Sequence, residues 1–228
     1  MNIMVSFKGK QHLKNVILMS VRWYTAYSLS YRDIEELLLE RGLNIDHSTV
    51  NRWVVEYSPQ LAENFKKKKK IVNNSWRMDE TYVKVKGVWM YQYRAVDKEG
   101  NTIDSCFSKK RSKIEATKFF IKAMNSCGKP IKINIDKSGA NTAALNEINY
   151  YLSKSEKIEI RQNKYLNNMV EQDHRFIKKI TRPTLGFKAF HSASATLDGI
   201  ELHHMLRKGQ HVNAANQTVF EHFYALAA

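Results

Sequence analysis

The sequence predicts an α/β protein in which a mixed sheet flanked by helices follows a small helical domain. Three observations carry that prediction. Strand-like and helix-like apolar runs succeed one another in the order βββαβαβα from residue 76 onward. The first 65 residues show helical spacing alone, and the acidic residues Asp79 and Asp136 lie on strand-like runs while Glu171 opens a helical one. A chain of 228 residues has room for one sizeable core and a small accessory domain.

In the N-terminal part, Ser30-Tyr31-Arg32-Asp33 forms a capping-box pattern ahead of Ile34, Leu37 and Leu38, which share one face. Gly42 can end that helix. A second helix starts near Asp46 or Ser48 and carries Val50, Trp53 and Val54 inward, leaving His47, Thr49, Asn51 and Arg52 on its outward N-terminal half. Two helices around a Gly-containing turn read as a plain helical hairpin or as a helix-turn-helix, whose second helix enters the DNA major groove. The five-lysine run at 66–70 reads as a solvated linker, as a phosphate-tracking segment, or as both.

Beyond it, residues 76–86, 88–97 and 102–108 alternate or run apolar and are separated by Gly87 and by Lys98-Glu99-Gly100-Asn101, the pattern of a three-stranded antiparallel meander. Residues 113–125 have helical spacing through Ala116, Phe119, Phe120 and Ala123, and Pro130 breaks the chain before a strand at 131–136. A helix near 142–152, a strand at 158–161 and the helix bearing Glu171 complete the order; residues 190–208 add one or two further helices. Trp89, Tyr91 and Tyr93 alternate on one strand face and are expected to pack the sheet, with base stacking as the alternative. Asn167 and Asn168 are expected to cap the Glu171 helix or to touch nucleic acid beside it.

Composition narrows the partners. Lys and Arg outnumber Asp and Glu 37 to 22, a formal net charge of +15, which favours a polyanion and fits nucleic acid best. There is no 18-residue apolar run, and the cluster at 16–19 is too short for a membrane span or a signal-peptide core, so a soluble cytoplasmic protein is expected. Cys106 and Cys127 have no metal-ligand spacing and are too few for a disulfide framework.

A carboxylate on a buried strand is costly unless a cation or donor compensates it. Two such strands plus a helix carboxylate therefore point to a shared divalent metal site, the chemistry of phosphodiester cleavage. Asp79 and Asp136 are 57 positions apart, and 34 residues lie between Asp136 and Glu171. Of the neighbouring acids, Glu80 alternates away from Asp79 on its strand, Asp97 has no assigned role, and Asp173 points off the Glu171 face. His174, Arg175 and Lys178 follow Glu171 at i+3, i+4 and i+7 and are expected on its face. His203 and His204 lack accompanying ligands and read as structural residues.

Several segments together resemble the bacterial DDE transposases, and within them the insertion-sequence-six family. They are Met78-Asp79-Glu80-Thr81-Tyr82-Val83-Lys84-Val85, Tyr93-Arg94-Ala95-Val96-Asp97, Asn134-Ile135-Asp136-Lys137, Asn168-Met169-Val170-Glu171-Gln172-Asp173-His174 and Leu185-Gly186-Phe187-Lys188. Val21-Arg22-Trp23-Tyr24, Asp46-His47-Ser48-Thr49-Val50, Gly199-Ile200-Glu201 and Leu206-Arg207-Lys208-Gly209-Gln210 extend the likeness over nearly the whole chain. It departs at 66–70, at Ser138-Gly139-Ala140-Asn141 and beyond Gln210.

The resemblance implies catalysis by Asp79, Asp136 and Glu171 with Mg2+, for which Mn2+ can substitute. Asp79 would bridge two ions while Asp136 and Glu171 each hold one. His47, Thr49, Asn51, Arg52, Arg175 and Lys178 are the candidate DNA contacts; Lys178 is alternatively a solvated helix lysine. The expected domains are a helix-turn-helix domain over 1–65, a basic linker over 66–75, a ribonuclease-H-like catalytic domain over 76–185 and a helical tail over 186–228. The implied activity is binding of terminal inverted repeats, strand cleavage and transfer to target DNA in a homodimer or larger synapse, with a replicative, cointegrate-forming outcome. The alternatives are a DNA-binding transposition repressor without catalysis and a ribonuclease-H-type nuclease.

Overall fold

The computed structural model of the chain describes residues 5–184, 186–215 and 217–228. In chain order, three helices come first: α1 (Lys14–Ala26), α2 (Tyr31–Leu39) and α3 (His47–Lys66). Strands β1 (Ser75–Val85), β2 (Val88–Asp97) and β3 (Thr102–Ser108) lead to α4 (Lys113–Cys127), β4 (Lys132–Asn134), α5 (Gly139–Tyr150), β5 (Glu159–Arg161) and α6 (Lys164–Thr181). Helices α7 (Phe190–Arg207) and α8 (Val219–Ala225) close the chain. It divides into two compact units, one built from the chain up to Lys70 together with Ile177–Ala228, the other from Ile71–Phe176. The division falls within α6.

In the helical unit, Ser30 caps α2 reciprocally with Asp33: Ser30 Oγ accepts from the Asp33 amide at 3.1 Å, and the Ser30 amide donates to Asp33 Oδ2 at 2.7 Å. Ile34 and Leu38 of α2, Val50, Val54 and Leu61 of α3, and Ile17, Leu18 and Val21 of α1 are fully buried in one core. Leu202 and Leu206 of α7 and Phe223 of α8 belong to the same core. Where the sequence reading separates a 186–228 tail from the first 65 residues, interleaved apolar side chains join them. The close approach has a local cause at Gly199 of α7, where a Cβ would meet Thr25 Cγ2 at 2.6 Å and Ser58 Oγ at 2.7 Å. Residues 68–70 of the lysine run are also paired: the Lys70 amide donates to Gln210 O at 2.8 Å and the Val212 amide to Lys68 O at 2.9 Å.

The second unit is a five-stranded sheet in the order β3-β2-β1-β4-β5. Pairs β1–β2 and β2–β3 are antiparallel, while β1–β4 and β4–β5 are parallel. This is the ribonuclease-H-like arrangement expected from the element order. The β1–β2 hairpin turns on two residues, Lys86 at φ 49 and Gly87 at φ 81, the left-handed pair that matches strand twist. Trp76, Met78, Tyr93 and Ile133 of the sheet share one core with Phe119 and Phe120 of α4 and Leu145 of α5.

Three local expectations are corrected. Tyr93 is buried and stacks on Phe119, but Tyr91 is half-buried and Trp89 is 57% exposed, because the outer end of the hairpin extends beyond the core. Strand β4 ends at Asn134, two residues short of Asp136, because Asp136 already accepts from the Ser138 amide at 3.0 Å in the turn that opens α5. Helix α6 starts at Lys164, so Asn167 is interior to it: buried, it accepts from the Asn134 side chain and donates to Met78 O instead of capping.

Candidate metal centre

The parallel pairing of β1 and β4 ends at Arg77↔Asn134, and Asp79 and Asp136 each follow two residues further along their own segments. The 57-position separation seen in the sequence is therefore the offset of one strand pair. One carboxylate oxygen each from Asp79, Asp136 and Glu80 lies within 4.8 Å of the others. Alternation along the strand predicts that Glu80 faces away from Asp79. It follows Asp79 directly on β1, yet its carboxylate joins the cluster.

Asp136 is held on both oxygens. Oδ1 accepts from the Ser138 amide at 3.0 Å and from Asn141 Nδ2 at 3.4 Å, and Oδ2 accepts from Arg111 Nη2 at 3.0 Å. Two of these donors, Ser138 and Asn141, stand at the start of α5. Glu80, almost fully buried, accepts from Arg111 Nε at 3.3 Å, Arg111 Nη2 at 3.2 Å and Asn141 Nδ2 at 3.1 Å. Burial raises its carboxyl above the usual range, against the opposing pull of the Arg111 guanidinium and the Asn141 amide. Arg111, one-third exposed, thus bridges two acids from the loop before α4.

Asp79 is held from α6. His174 Nε2 lies 3.2 Å from Asp79 Oδ2, and His174 Nδ1 lies 3.4 Å from Arg94 Nη1. Arg94, wholly buried on β2, also donates to Asp173 Oδ2 at 2.8 Å. Two expectations change here: Asp173 turns into the fold as the partner of a buried cation, and His174 is buried against Asp79 while Arg175 and Glu171 are exposed. Glu171 is not among the clustered acids of the described residues; it sits one helical turn before His174. Asp97, unassigned from sequence, closes the β2–β3 turn by accepting from the Glu99 and Asn101 amides, both at 2.9 Å.

The candidate DNA contacts lie in the helical unit, apart from Arg175. Arg52 is exposed and donates to Thr49 Oγ1 at 2.7 Å. Asn51 is half-buried and Lys178 exposed. His47 Nδ1 is 2.9 Å from Glu35 Oε2 and 3.4 Å from Asp46 Oδ2, so two carboxylates stand at its ring. Arg111, Asn141 and Arg94 are the residues that sequence reasoning missed. Lys109-Lys110-Arg111, a basic run placed between a strand and a helix, was the only local signal for one of them.

A family model described as a DDE domain matches residues 73–210. The chain belongs to the DDE transposase family. It is 43% identical over 205 residues, 89% of this chain and 88% of the relative, to a transposase for the insertion sequence-like element IS431mec of Staphylococcus aureus. The same identity and coverage hold for the transposase of insertion sequence element IS257 in transposon Tn4003, also from Staphylococcus aureus. These relatives are consistent with the insertion-sequence-six branch. Among solved structures, the HTLV-2 integrase catalytic core domain in complex with magnesium is similar at 25% identity and a TM-score of 0.40, over 47% of this transposase and 69% of that chain. A simian T-cell lymphotropic virus intasome chain is similar at 15% identity and a TM-score of 0.45, over 83% and 70%. No helix among the described residues is long and apolar enough to cross a membrane.

Proposed function

We propose that this transposase binds the terminal inverted repeats of its insertion sequence and uses Asp79, Asp136 and Glu171 to cut and join DNA strands, with a replicative cointegrate as the outcome. One observation carries the reading: two acids 57 positions apart, Asp79 on β1 and Asp136 two residues past the end of the parallel β4, bring carboxylate oxygens within 4.8 Å of each other. Their oxygens form the hard donor set that Mg2+ or Mn2+ takes. Glu80 completes the cluster and shares Arg111 and Asn141 with Asp136; buried where Asp136 is open to solvent, it serves as a frame for Asp136. Glu171 is assigned as the third ligand on the family spacing and on its place one turn before His174.

Magnesium held there would activate the attacking oxygen and neutralise charge on the transferred phosphate. The chain's own residues prepare the ground. His174 holds Asp79, the Ser138 amide and Asn141 hold Asp136, and Arg111 adds a partly exposed cation where a phosphate would arrive. End recognition is assigned to α3 through Thr49, Asn51 and Arg52, with Arg175, Lys178 and the lysine run on phosphates; the working form is a homodimer or larger synapse.

The test uses purified protein, magnesium and a labelled plasmid carrying the element ends. Nicking at the ends followed by joining to a second plasmid, both abolished by chelator, is the expected result. Nicking without joining would mark a nuclease, and end binding without either would mark a repressor.

A further inference from the structure

We propose that His174 is a positioning residue for Asp79, held by Arg94 in the tautomer that carries its proton on Nε2 and donates it to the Asp79 carboxylate. The inference rests on the reading of Asp79 as a metal ligand. Its basis is donor and acceptor chemistry. A guanidinium has five N–H donors and no acceptor, so the 3.4 Å contact between Arg94 Nη1 and His174 Nδ1 is a hydrogen bond only if Nδ1 offers a lone pair. The proton of the neutral ring then sits on Nε2, and Nε2–H points at Asp79 Oδ2, 3.2 Å away. Had the proton sat on Nδ1, it would face the guanidinium, and Nε2 would set its lone pair against a carboxylate.

Asp79 needs such a partner. The terminal torsion of an aspartate is broad, so its rotamer does not orient the carboxylate. A donor on one oxygen sets the plane in which the other lone pairs are presented, the service that outer hydrogen bonds perform for metal-ligating carboxylates. Both side chains behind Asp79 are buried. Arg94 is wholly buried on β2, directly across from Asp79 in the β1–β2 register, its charge is balanced by Asp173 at 2.8 Å, and His174 is buried one residue further along α6.

Two variants separate the two bonds of the ring. His174→Gln places an amide N–H near the position of Nε2 and keeps the donor to Asp79; His174→Asn is too short to reach Asp79 but keeps an acceptor towards Arg94. The full chain of each is compared with the parent by Mn2+ binding, followed by electron paramagnetic resonance, by gel shift on end DNA, and by joining of pre-cut ends as Mg2+ is varied. We expect end binding to be unchanged in both, Mn2+ affinity of the Gln variant to stay close to the parent, and that of the Asn variant to fall about 10-fold or more, with a matching rise in the Mg2+ needed for joining. Equal Mn2+ affinity in parent and Asn variant, or equal loss in both variants, overturns the proposal.

The ring itself is read independently of folding of the variants. In 15N-labelled parent, long-range proton–nitrogen correlations, assigned by the resonances missing in His174→Gln, should show Nε2 protonated and Nδ1 bare; the opposite tautomer overturns the proposal. A parent that binds no Mn2+ and joins ends in the presence of chelator sinks the metal-site reading instead, and the ring spectrum still decides where the proton lies.

Discussion

The guanidinium of Arg94, wholly buried on β2, is paired at 2.8 Å with the carboxylate of Asp173 on α6. Sequence spacing placed Asp173 off the face of Glu171 and made it a bystander. The pairing makes it the counter-charge of a buried cation instead. Removing one member of such a pair leaves an uncompensated charge, at a cost of about 3–5 kcal/mol. Asp173→Asn should therefore lower stability by that order in urea unfolding, whereas Gln172→Asn, on an exposed neighbour, should be near neutral. Equal midpoints for parent and Asp173→Asn would show that the pair carries no stability.

A second comparison sets Glu171→Gln against Glu80→Gln. Both remove one charge with little change of shape. If Glu171 is the third ligand, its variant should bind end DNA like the parent yet fail at nicking and at joining of pre-cut ends, as should Asp79→Asn and Asp136→Asn. Glu80→Gln keeps an oxygen for Arg111 or Asn141 and should retain a measurable joining rate. A dead Glu80→Gln beside an active Glu171→Gln would transfer the ligand role to Glu80.

Acid should destabilise the helical unit through His203. The ring is fully buried on α7, both its nitrogens lack a partner among the described residues, and burial, with Arg207, Arg22 and His204 adding repulsion, depresses its pKa from 6.5 to about 3. The neutral ring folds more readily than the cation. Its contribution is thus complete above about pH 6.5 and is lost as the pH falls towards 3, since the unfolded chain binds the proton first. Between pH 7.5 and 5 that loss amounts to about 2 kcal/mol. Urea titrations at the two pH values should show His203→Leu losing less than the parent; parallel losses would remove His203 as the cause.

DNA binding should separate into a specific and a charge-driven part. Arg52→Ala should weaken binding to end DNA by about 1–3 kcal/mol at fixed salt while leaving unrelated DNA little affected. Replacing the lysines at 66–70 by glutamine should weaken binding to any DNA and flatten its salt dependence, by about 0.9 in slope for each phosphate contact removed. The pairing of 68–70 with 210–212 is made by backbone groups and should survive the exchange. An unchanged salt slope would leave the run a structural segment only.

The order of strands and helices and the capping box at Ser30 were legible in the residues, because period and caps are local properties. Expectations failed where the neighbour of a face or the start of a helix had to be guessed. Trp89 has the alternation of a core residue, but alternation names a face and not what covers it. Asn167 stands near the start of an amphipathic stretch, but the helix starts earlier and turns it inward.

By itself, then, the sequence determined the family, the mixed sheet and the acidic residues on β1, after β4 and on α6. Only the tertiary structure decided how those acids are held. The His174–Asp79 contact joins residues 95 apart, Arg94–Asp173 residues 79 apart, Asn141–Glu80 residues 61 apart and Arg111–Glu80 residues 31 apart. Each pairs side chains whose own neighbourhoods in sequence carry no mark of the partner. Hydrogen-bond geometry and the cost of an uncompensated buried charge arise only once strand and helix have packed, and they act over a few ångströms of space regardless of distance along the chain.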